Sequence, residues 1–286
     1  MNNEHIITKR LFIENSFFIK FAVYIFNHMQ TKKVITHITS WLNDYSNSSN
    51  TNGFVVGISG GIDSALTSTL CARTGKEVLC LLMPIHQHQN EFDRSQEHVK
   101  WLCKNFPNVS YTTVDLSNTF DTLSKVIPTD LQQNLAMANT RARIRMTTLY
   151  TFAGAKGMLV AGTGNKVEDF GVGFYTKYGD GGVDVSPIAD LMKSEVFALA
   201  KELNIIDAIQ TAAPTDGLWA DGRNDEDQLG ASYDELEWAM VEYEQSTENR
   251  FSGRQKEVFD IFTKLHKSNR HKMDPIPVCN IPESLK

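Results

Sequence analysis

The amino-acid sequence predicts an α/β protein, an open parallel sheet with helices on both faces, extended by further helices toward the C-terminus. Three observations carry that expectation. Short β-type runs alternate with helical patterns between residues 54 and 161, the rhythm of βαβ units. The first of these runs enters a glycine turn that opens directly into a helix, and the last third of the chain reads as helices alone. At 286 residues, 41% hydrophobic and 22% charged, the composition is that of an ordinary globular protein and excludes disordered and fibrous classes.

The elements follow in order. Leu11 to Phe26 is an apolar run, but Glu14 and Lys20 interrupt it; it is too short and too charged to span a bilayer, and no small-residue cleavage site follows. Met29 is followed at once by an amphipathic pattern, so residues 1–28 read as an N-terminal extension or a start-site artefact, and 29–286 as a single domain. A helix near 32–45 carries Val34, Ile35, Ile38, Trp41 and Leu42 at helical spacing, and Ser46 to Gly53 form a polar linker. Strands are expected at Phe54–Ile58, Val78–Met83 and Tyr111–Val114, with helices at about 64–74 and 92–105 between them. A long helix near 130–153 precedes a fourth strand, Met158–Ala161, and a glycine-rich stretch at 171–182. Helices near 193–204, 232–245 and 254–267 close the chain. Ser232-x-x-Glu235 is a capping box for the second of these.

Charge and cysteine content narrow the partners. With 28 Lys+Arg against 34 Asp+Glu the net charge is -6, so no overall positive field would hold nucleic acid or an anionic membrane, and any phosphate must be met locally. Cys71, Cys80, Cys103 and Cys279 form no C-x-x-C pair and lack a His-rich partner segment. Neither a disulfide framework nor a structural zinc site is implied, and a reducing cytoplasm fits best.

The strongest chemical signal is the string Gly57-Ile58-Ser59-Gly60-Gly61-Ile62-Asp63-Ser64 after the first strand. Two glycines let backbone N–H groups close on an anion, and the new helix N-terminus adds a partial positive charge, so the segment is a phosphate cradle. Both G-x-x-x-x-G-K-[ST] and G-x-G-x-x-G are absent, which sets aside the usual P-loop and dinucleotide-binding enzymes. Asp63 would repel bound phosphates unless a cation intervened, which implies Mg²⁺.

The S-G-G-x-D-S string resembles the pyrophosphate loop of the N-type ATP pyrophosphatases, and the later motifs resemble ammonia-dependent NAD synthetases within that group. The resemblance runs from about Val34 to His271-Lys272. It implies an adenine nucleotide alpha hydrolase-like fold. It further implies ATP and Mg²⁺ as co-substrate and cofactor, and ATP-dependent amidation of deamido-NAD through an acyl-adenylate with release of AMP and pyrophosphate. Gly57 to Ser64, Thr163, Lys193 and Thr215 would then contact ATP. Glu168 in Gly162-Thr163-Gly164-Asn165-Lys166-Val167-Glu168 would share the metal with Asp63, since both lie beyond strand ends where open parallel sheets bind ligands. Catalysis would rest on Asp63 and Lys193.

The stretch 171–184 holds five glycines and three aromatics in fourteen residues, the composition of a loop that closes on a ligand. Within T-K-Y-G-D-G-G-x-D the resemblance places Lys177 and Asp184 on deamido-NAD, with Phe174 stacking on the pyridine ring; Arg143 and the His271-Lys272 pair join them. His86-Gln87-His88-Gln89 is better read as a border of the adenine and ribose, with Gln89 on ATP, than as a metal pair. Lys193 stands in a first helical turn, where a cation is mildly unfavourable unless an anion needs it.

Along the long helix Leu131, Leu135, Ala138, Ala142 and Leu149 form one apolar stripe, and Met137 and Ile144 a second patch off it. Two apolar faces predict a homodimer. Arg141 and Arg145 share a side that reads as solvated, while Arg143 points toward Asn139 and Tyr150. No cysteine stands in a recognisable nucleophile signature and the length leaves no room for an ordinary glutaminase domain, so free ammonia is the expected nitrogen source. Three alternatives stay open: amidation of nicotinate mononucleotide, another pyrophosphate-loop ligase of the GMP synthetase or tRNA-modifying kind, and a non-catalytic adenine-nucleotide sensor.

Overall fold

The computed structural model describes residues 29–87, 89–212, 225–245 and 250–286. Residues 1–28, His88 and Thr215 lie outside the described residues. Helix α1 (Thr31–Ser48) leads to strand β1 (Gly53–Gly57), α2 (Ile62–Arg73), β2 (Glu77–Leu82), α3 (Gln89–Asn105) and β3 (Val109–Thr113). Next come α4 (Ser117–Val126), α5 (Asn134–Lys156) and β4 (Leu159–Val160). A single π-helical turn at Val167–Val172 precedes α6 (Lys193–Glu202), α7 (Asp207–Gln210), α8 (Asp225–Leu229), α9 (Tyr233–Glu244) and α10 (Gly253–Met273).

The four strands are parallel in the order β3-β2-β1-β4, with Phe54 level with Val78 on one side and Leu159 on the other. Alternation along the strands divides the core. Phe54, Val56, Val78, Cys80 and Leu82 point to one face, where Ile35, Ile38 and Leu42 of α1, Leu66 and Leu70 of α2, Val99 and Leu102 of α3 and Val196 and Leu199 of α6 cover them. Val55, Leu79 and Leu81 point to the other face, against Phe120 of α4 and Ala153 of α5. Burial on both faces is why these strands read as unbroken apolar runs. A third cluster joins α9 to α10 through Leu236, Trp238, Val258, Phe259 and Phe262, and draws in Val167 and Val172 of the π turn. The helical addition at the C-terminus is thereby tied to the segment that follows β4.

The sheet order sets the site. From β1 the chain proceeds to β2 on one side, and β4 enters on the other, so a crevice opens beyond the carboxyl ends of β1 and β4.

Four expectations need correction. Helix α4 was not anticipated; it is only ten residues long and Phe120 is its one buried residue. Helix α5 begins at Asn134 rather than 130; Thr129–Leu131 form a separate 3₁₀ turn, and Leu131 and Leu135 are 58% and 62% exposed. Met137 and Ile144 do not make an outward patch, since α4 lies beside them and both pack against the core around Phe120. The final helix also runs on to Met273, past the expected end.

Candidate functional site

The loop after β1 is held by its own hydroxyls. Ser64 Oγ accepts from Ser59 N–H at 3.2 Å and donates to the Gly61 carbonyl at 3.0 Å, and Ser59 Oγ accepts from Gly61 N–H at 3.2 Å. Gly60 adopts φ +87°, and a Cβ there would sit 2.6 Å from the Glu91 carbonyl oxygen of α3; backbone conformation and neighbouring chain both demand glycine. The turn delivers Asp63 into the first turn of α2.

Asp63 meets Glu168 across one ammonium. Lys193, the first residue of α6 and only 3% exposed, donates to Asp63 Oδ2 at 2.6 Å and to Glu168 Oε1 at 3.1 Å. Asn165 ties the strand ends together by donating through Nδ2 to Asp63 Oδ1 at 3.0 Å while its side-chain Oδ1 accepts from Glu168 N–H at 3.2 Å. The Tyr233 hydroxyl donates to Glu168 Oε1 at 2.5 Å, and the Lys193 ammonium lies 4.7 Å from the centre of that ring. The cation that seemed unfavourable at a helix start is thus matched by two protein carboxylates. Burial raises the Asp63 carboxyl, opposed by Lys193 and reinforced by the charge of Glu168. For Glu168 burial also acts upward, but Lys193, Tyr233 and Asn165 outweigh it and hold the carboxyl below its ordinary range. Burial pushes Lys193 toward neutrality, and the two carboxylates more than reverse this, so it stays charged. Neighbouring Asp169 is pushed up to about 8 by burial and by the charges of Glu168, Asp180 and Asp63.

A second set of cations lies at the rim and meets no carboxylate ion-pair partner among the described residues. Arg143 donates through Nε and Nη2 to the Lys177 carbonyl at 3.4 and 3.3 Å, and Lys177 Nζ to the His271 carbonyl at 2.5 Å. Lys272 Nζ donates to the carbonyls of Gly173 and Tyr175 at 2.7 and 2.9 Å. These bonds lace the glycine-rich segment to α5 and to the end of α10. Carbonyl partners do not neutralise these charges, although Lys272 also feels the charge of Asp180.

The loop, Asp63, Glu168, Thr163, Lys193, Phe174 and Lys272 line one cleft of about 670 Å³. Other expected residues stand elsewhere. Asp184 spends its carboxylate on Val160 N–H at 2.8 Å and the Tyr150 hydroxyl at 3.0 Å, and borders a shallow groove beside Trp41 and Phe170 instead. Arg143, Lys177 and His271 are not among the lining residues of the cleft, and Gln89 turns to Asp93 at 2.8 Å. Its neighbour Gln87 lines the cleft, as does Arg145, which donates to the Met83 carbonyl at 3.0 Å and is not on a solvated face. His86 pairs with Asp121 at 2.7 Å. Sequence reasoning gave Asn165 no role of its own and passed over Tyr233; the position of Tyr233 directly after the capping Ser232 was the available signal.

Among the described residues no group of three or more His, Cys, Asp and Glu could hold a metal ion by itself. The donor set of Asp63 and Glu168 still suits a hard cation. Two carboxylates converge on a single cationic atom, and Mg²⁺ characteristically takes one or two protein carboxylates and completes its shell with water and substrate phosphates.

Comparison with known proteins gives a consistent result. The family model described as NAD synthase matches residues 34–276. The NH(3)-dependent NAD(+) synthetase of Methanosarcina acetivorans is 36% identical over 259 residues, covering 87% of this chain and 98% of the relative. That of Finegoldia magna is 37% identical over 210 residues, 73% of this chain and 84% of the relative. Among solved structures, the NMN synthetase of Francisella tularensis aligns with a TM-score of 0.77 at 29% identity over 88% of this chain and all of that one. The NH3-dependent NAD synthetase of Campylobacter jejuni, solved with nitrate ion, aligns at 0.72 and 27% identity with the same coverage.

Proposed function

The chain belongs to the NAD synthase family, and from that premise we propose that it is a carbon–nitrogen ligase that amidates deamido-NAD to NAD with ammonia at the expense of ATP. One observation carries the reading most directly: the 59–64 loop, Thr163, Glu168 and Lys193, from three separate stretches, surround one cleft whose far wall is the aromatic and cationic segment of Phe174 and Lys272. A polyphosphate fits the first wall and an anionic ring acid the second.

In this mechanism the nicotinate carboxylate attacks the α-phosphorus of ATP, the bond to the β-phosphate oxygen breaks, and pyrophosphate leaves with the electron pair. Ammonia then attacks the acyl carbon of the adenylate, AMP departs with the C–O electrons, and the surplus proton passes to solvent. The backbone N–H groups of the loop and the Lys193 ammonium neutralise charge on the departing pyrophosphate. Asp63 and Glu168 would hold Mg²⁺, which when bound supplies further charge neutralisation at the phosphates. Phe174 and Lys272 orient the acid, and no protein nucleophile takes part, so positioning accounts for most of the rate. Arg143, Lys177, His271 and Asp184 are proposed contacts for the parts of deamido-NAD that extend past the cleft, and Gln89 and Thr215 for ATP. Free ammonia as nitrogen donor is supported by the names of the relatives and the 84% and 98% of their lengths that the chain covers.

The solved structure named as an NMN synthetase supports a second reading, amidation of nicotinate mononucleotide. The spread of cations beyond the cleft favours the larger substrate. AMP formation by the pure protein with ATP, Mg²⁺ and ammonia should show kcat/KM for deamido-NAD at least about tenfold above that for the mononucleotide, about 1.4 kcal/mol. A ratio at or below one replaces the first reading by the second. No helix among the described residues is long and apolar enough to cross a membrane, and a cytoplasmic setting is proposed. So is a homodimer, now supported by exposed Leu131, Leu135 and Tyr178 rather than by Met137 and Ile144; light scattering at micromolar concentration tests it.

A further inference from the structure

Helix α9 carries two polar side chains one turn apart that both reach the charged centre from outside it. The ring of Tyr233 is 5% exposed, and its hydroxyl donates to Glu168 Oε1 at 2.5 Å while the ring face meets the Lys193 ammonium at 4.7 Å. Glu237 is fully buried; one carboxylate oxygen accepts from Ser194 N–H and the other from Ser194 Oγ, both at 2.7 Å. Ser194 follows Lys193 in the first turn of α6. Packing alone explains neither residue. A phenylalanine would fill the space of Tyr233 among Leu236, Trp238 and Met192, and a buried carboxylate is costly unless its hydrogen bonds secure something.

We infer that Tyr233 and Glu237 are positioning residues for adenylation, Tyr233 fixing the rotation of the Glu168 carboxylate and Glu237 fixing the turn of α6 that presents Lys193. Glu168 and Lys193 come from the π turn and from α6, which are separated by twenty residues of chain and are joined at their starts by one backbone hydrogen bond, Lys166 N–H to the Leu191 carbonyl at 2.8 Å. Helix α9 touches both, and its packing on α10 gives it a rigid seat. The C-terminal helical pair thereby sets the relative placement of the carboxylate and the ammonium, which meet at 3.1 Å. Hydrogen-bond partners that orient a ligating group commonly change metal affinity ten- to a hundredfold when removed.

The inference rests on the ligase reading, and the test separates the two. The full-length wild type, Tyr233→Phe and Glu237→Gln are each titrated with Mg²⁺ by calorimetry in the presence of a non-hydrolysable α,β-methylene ATP analogue, and each is assayed for pyrophosphate release. Tyr233→Phe keeps the ring over Lys193 and should melt within a few degrees of wild type. It should bind Mg²⁺ about tenfold more weakly and lose about tenfold in kcat, with KM for deamido-NAD within twofold. Glu237→Gln should lower kcat with Mg²⁺ affinity little changed; should it fail to fold, Ser194→Ala, which removes one of the two hydrogen bonds, takes its place. Wild-type Mg²⁺ affinity and kcat in Tyr233→Phe overturn the inference, and so does a uniform loss of stability and of deamido-NAD binding with Mg²⁺ affinity intact. A wild type that releases no pyrophosphate with any pyridine acid defeats the ligase reading, while the calorimetry still decides whether Tyr233 orders Glu168.

Discussion

The two ends of the cleft handle positive charge in opposite ways. Lys193 is buried and takes part in two ion pairs, with Asp63 and Glu168, whereas Arg143, Lys177 and Lys272 donate to backbone carbonyls and make no ion pair among the described residues. A buried ammonium without counter-charges would lose its proton, so the protein must supply them before substrate arrives. Of the rim cations Arg143 is exposed and Lys272 is half-buried, with burial lowering its pKa; each needs only orientation to meet an incoming carboxylate or phosphate. Substitutions at the first end should therefore damage stability and rate together, and those at the second should change binding alone.

Lys193→Ala tests the contrast hardest. It leaves two buried carboxylates facing each other, so kcat should fall about 10²- to 10³-fold and stability by about 3 kcal/mol, the latter partly restored by Mg²⁺. Pyrophosphate release at saturating ATP and denaturant titrations with and without Mg²⁺ measure both, and unchanged release would reduce Lys193 to a structural residue. Asp63→Asn and Glu168→Gln should each lower kcat roughly 10²-fold. If they act on one shared cation their combination should cost little more than either alone, and additive losses would split the centre into two independent sites.

The pH dependence of stability sharpens the comparison further. Burial, reinforced by the charges of Asp234 and Glu195, raises the Glu237 carboxyl to about 7 from its ordinary 4.5 despite two hydrogen bonds from Ser194. Between those values the folded protein keeps a proton that the unfolded chain has already released. Stability should therefore fall as pH rises through that window and level off above 7, by on the order of 2–3 kcal/mol. Glu237→Gln should flatten this portion of the curve, as followed by urea midpoints at several pH values; an unchanged slope would show that Glu237 ionises normally. The smallest effects belong to the rim. Arg143→Ala and Lys177→Ala should raise KM for deamido-NAD about tenfold with kcat within threefold, and change stability by no more than about 0.5 kcal/mol. The wild-type KM should also rise with salt and the variants' less so, because exposed charges are screened. A large stability loss in either variant would erase the distinction between the two ends.

Much of this was legible in the linear chain. The string from Phe54 to Ser64 specifies strand, glycine turn and helix by residue type alone, since only glycine tolerates φ +87° against the Glu91 carbonyl. The four parallel strands are visible as apolar runs for the same local reason, burial on both faces. Asp63, Glu168 and Lys193 were identifiable from their motifs. Less visible was any helix whose partners are supplied elsewhere: α4 buries one side chain, and α5 keeps only Ala138, Ala142 and Ala153 fully covered, so periodicity misassigned which of its faces is outward.

Tertiary structure alone decided who meets whom. Residue type and spacing determined that the chain is an α/β protein with a strand–glycine turn–helix loop and a cationic, glycine-rich segment, because these features depend on neighbours a few residues away. The pairing of Lys193 with residues 130 and 25 positions distant, the turning of Asp184 to β4 and Tyr150, and the bracing of Glu168 by Tyr233 depend on how α6, α9 and β4 pack. Burial is what makes a charge choose its partner, and burial belongs to the assembled fold.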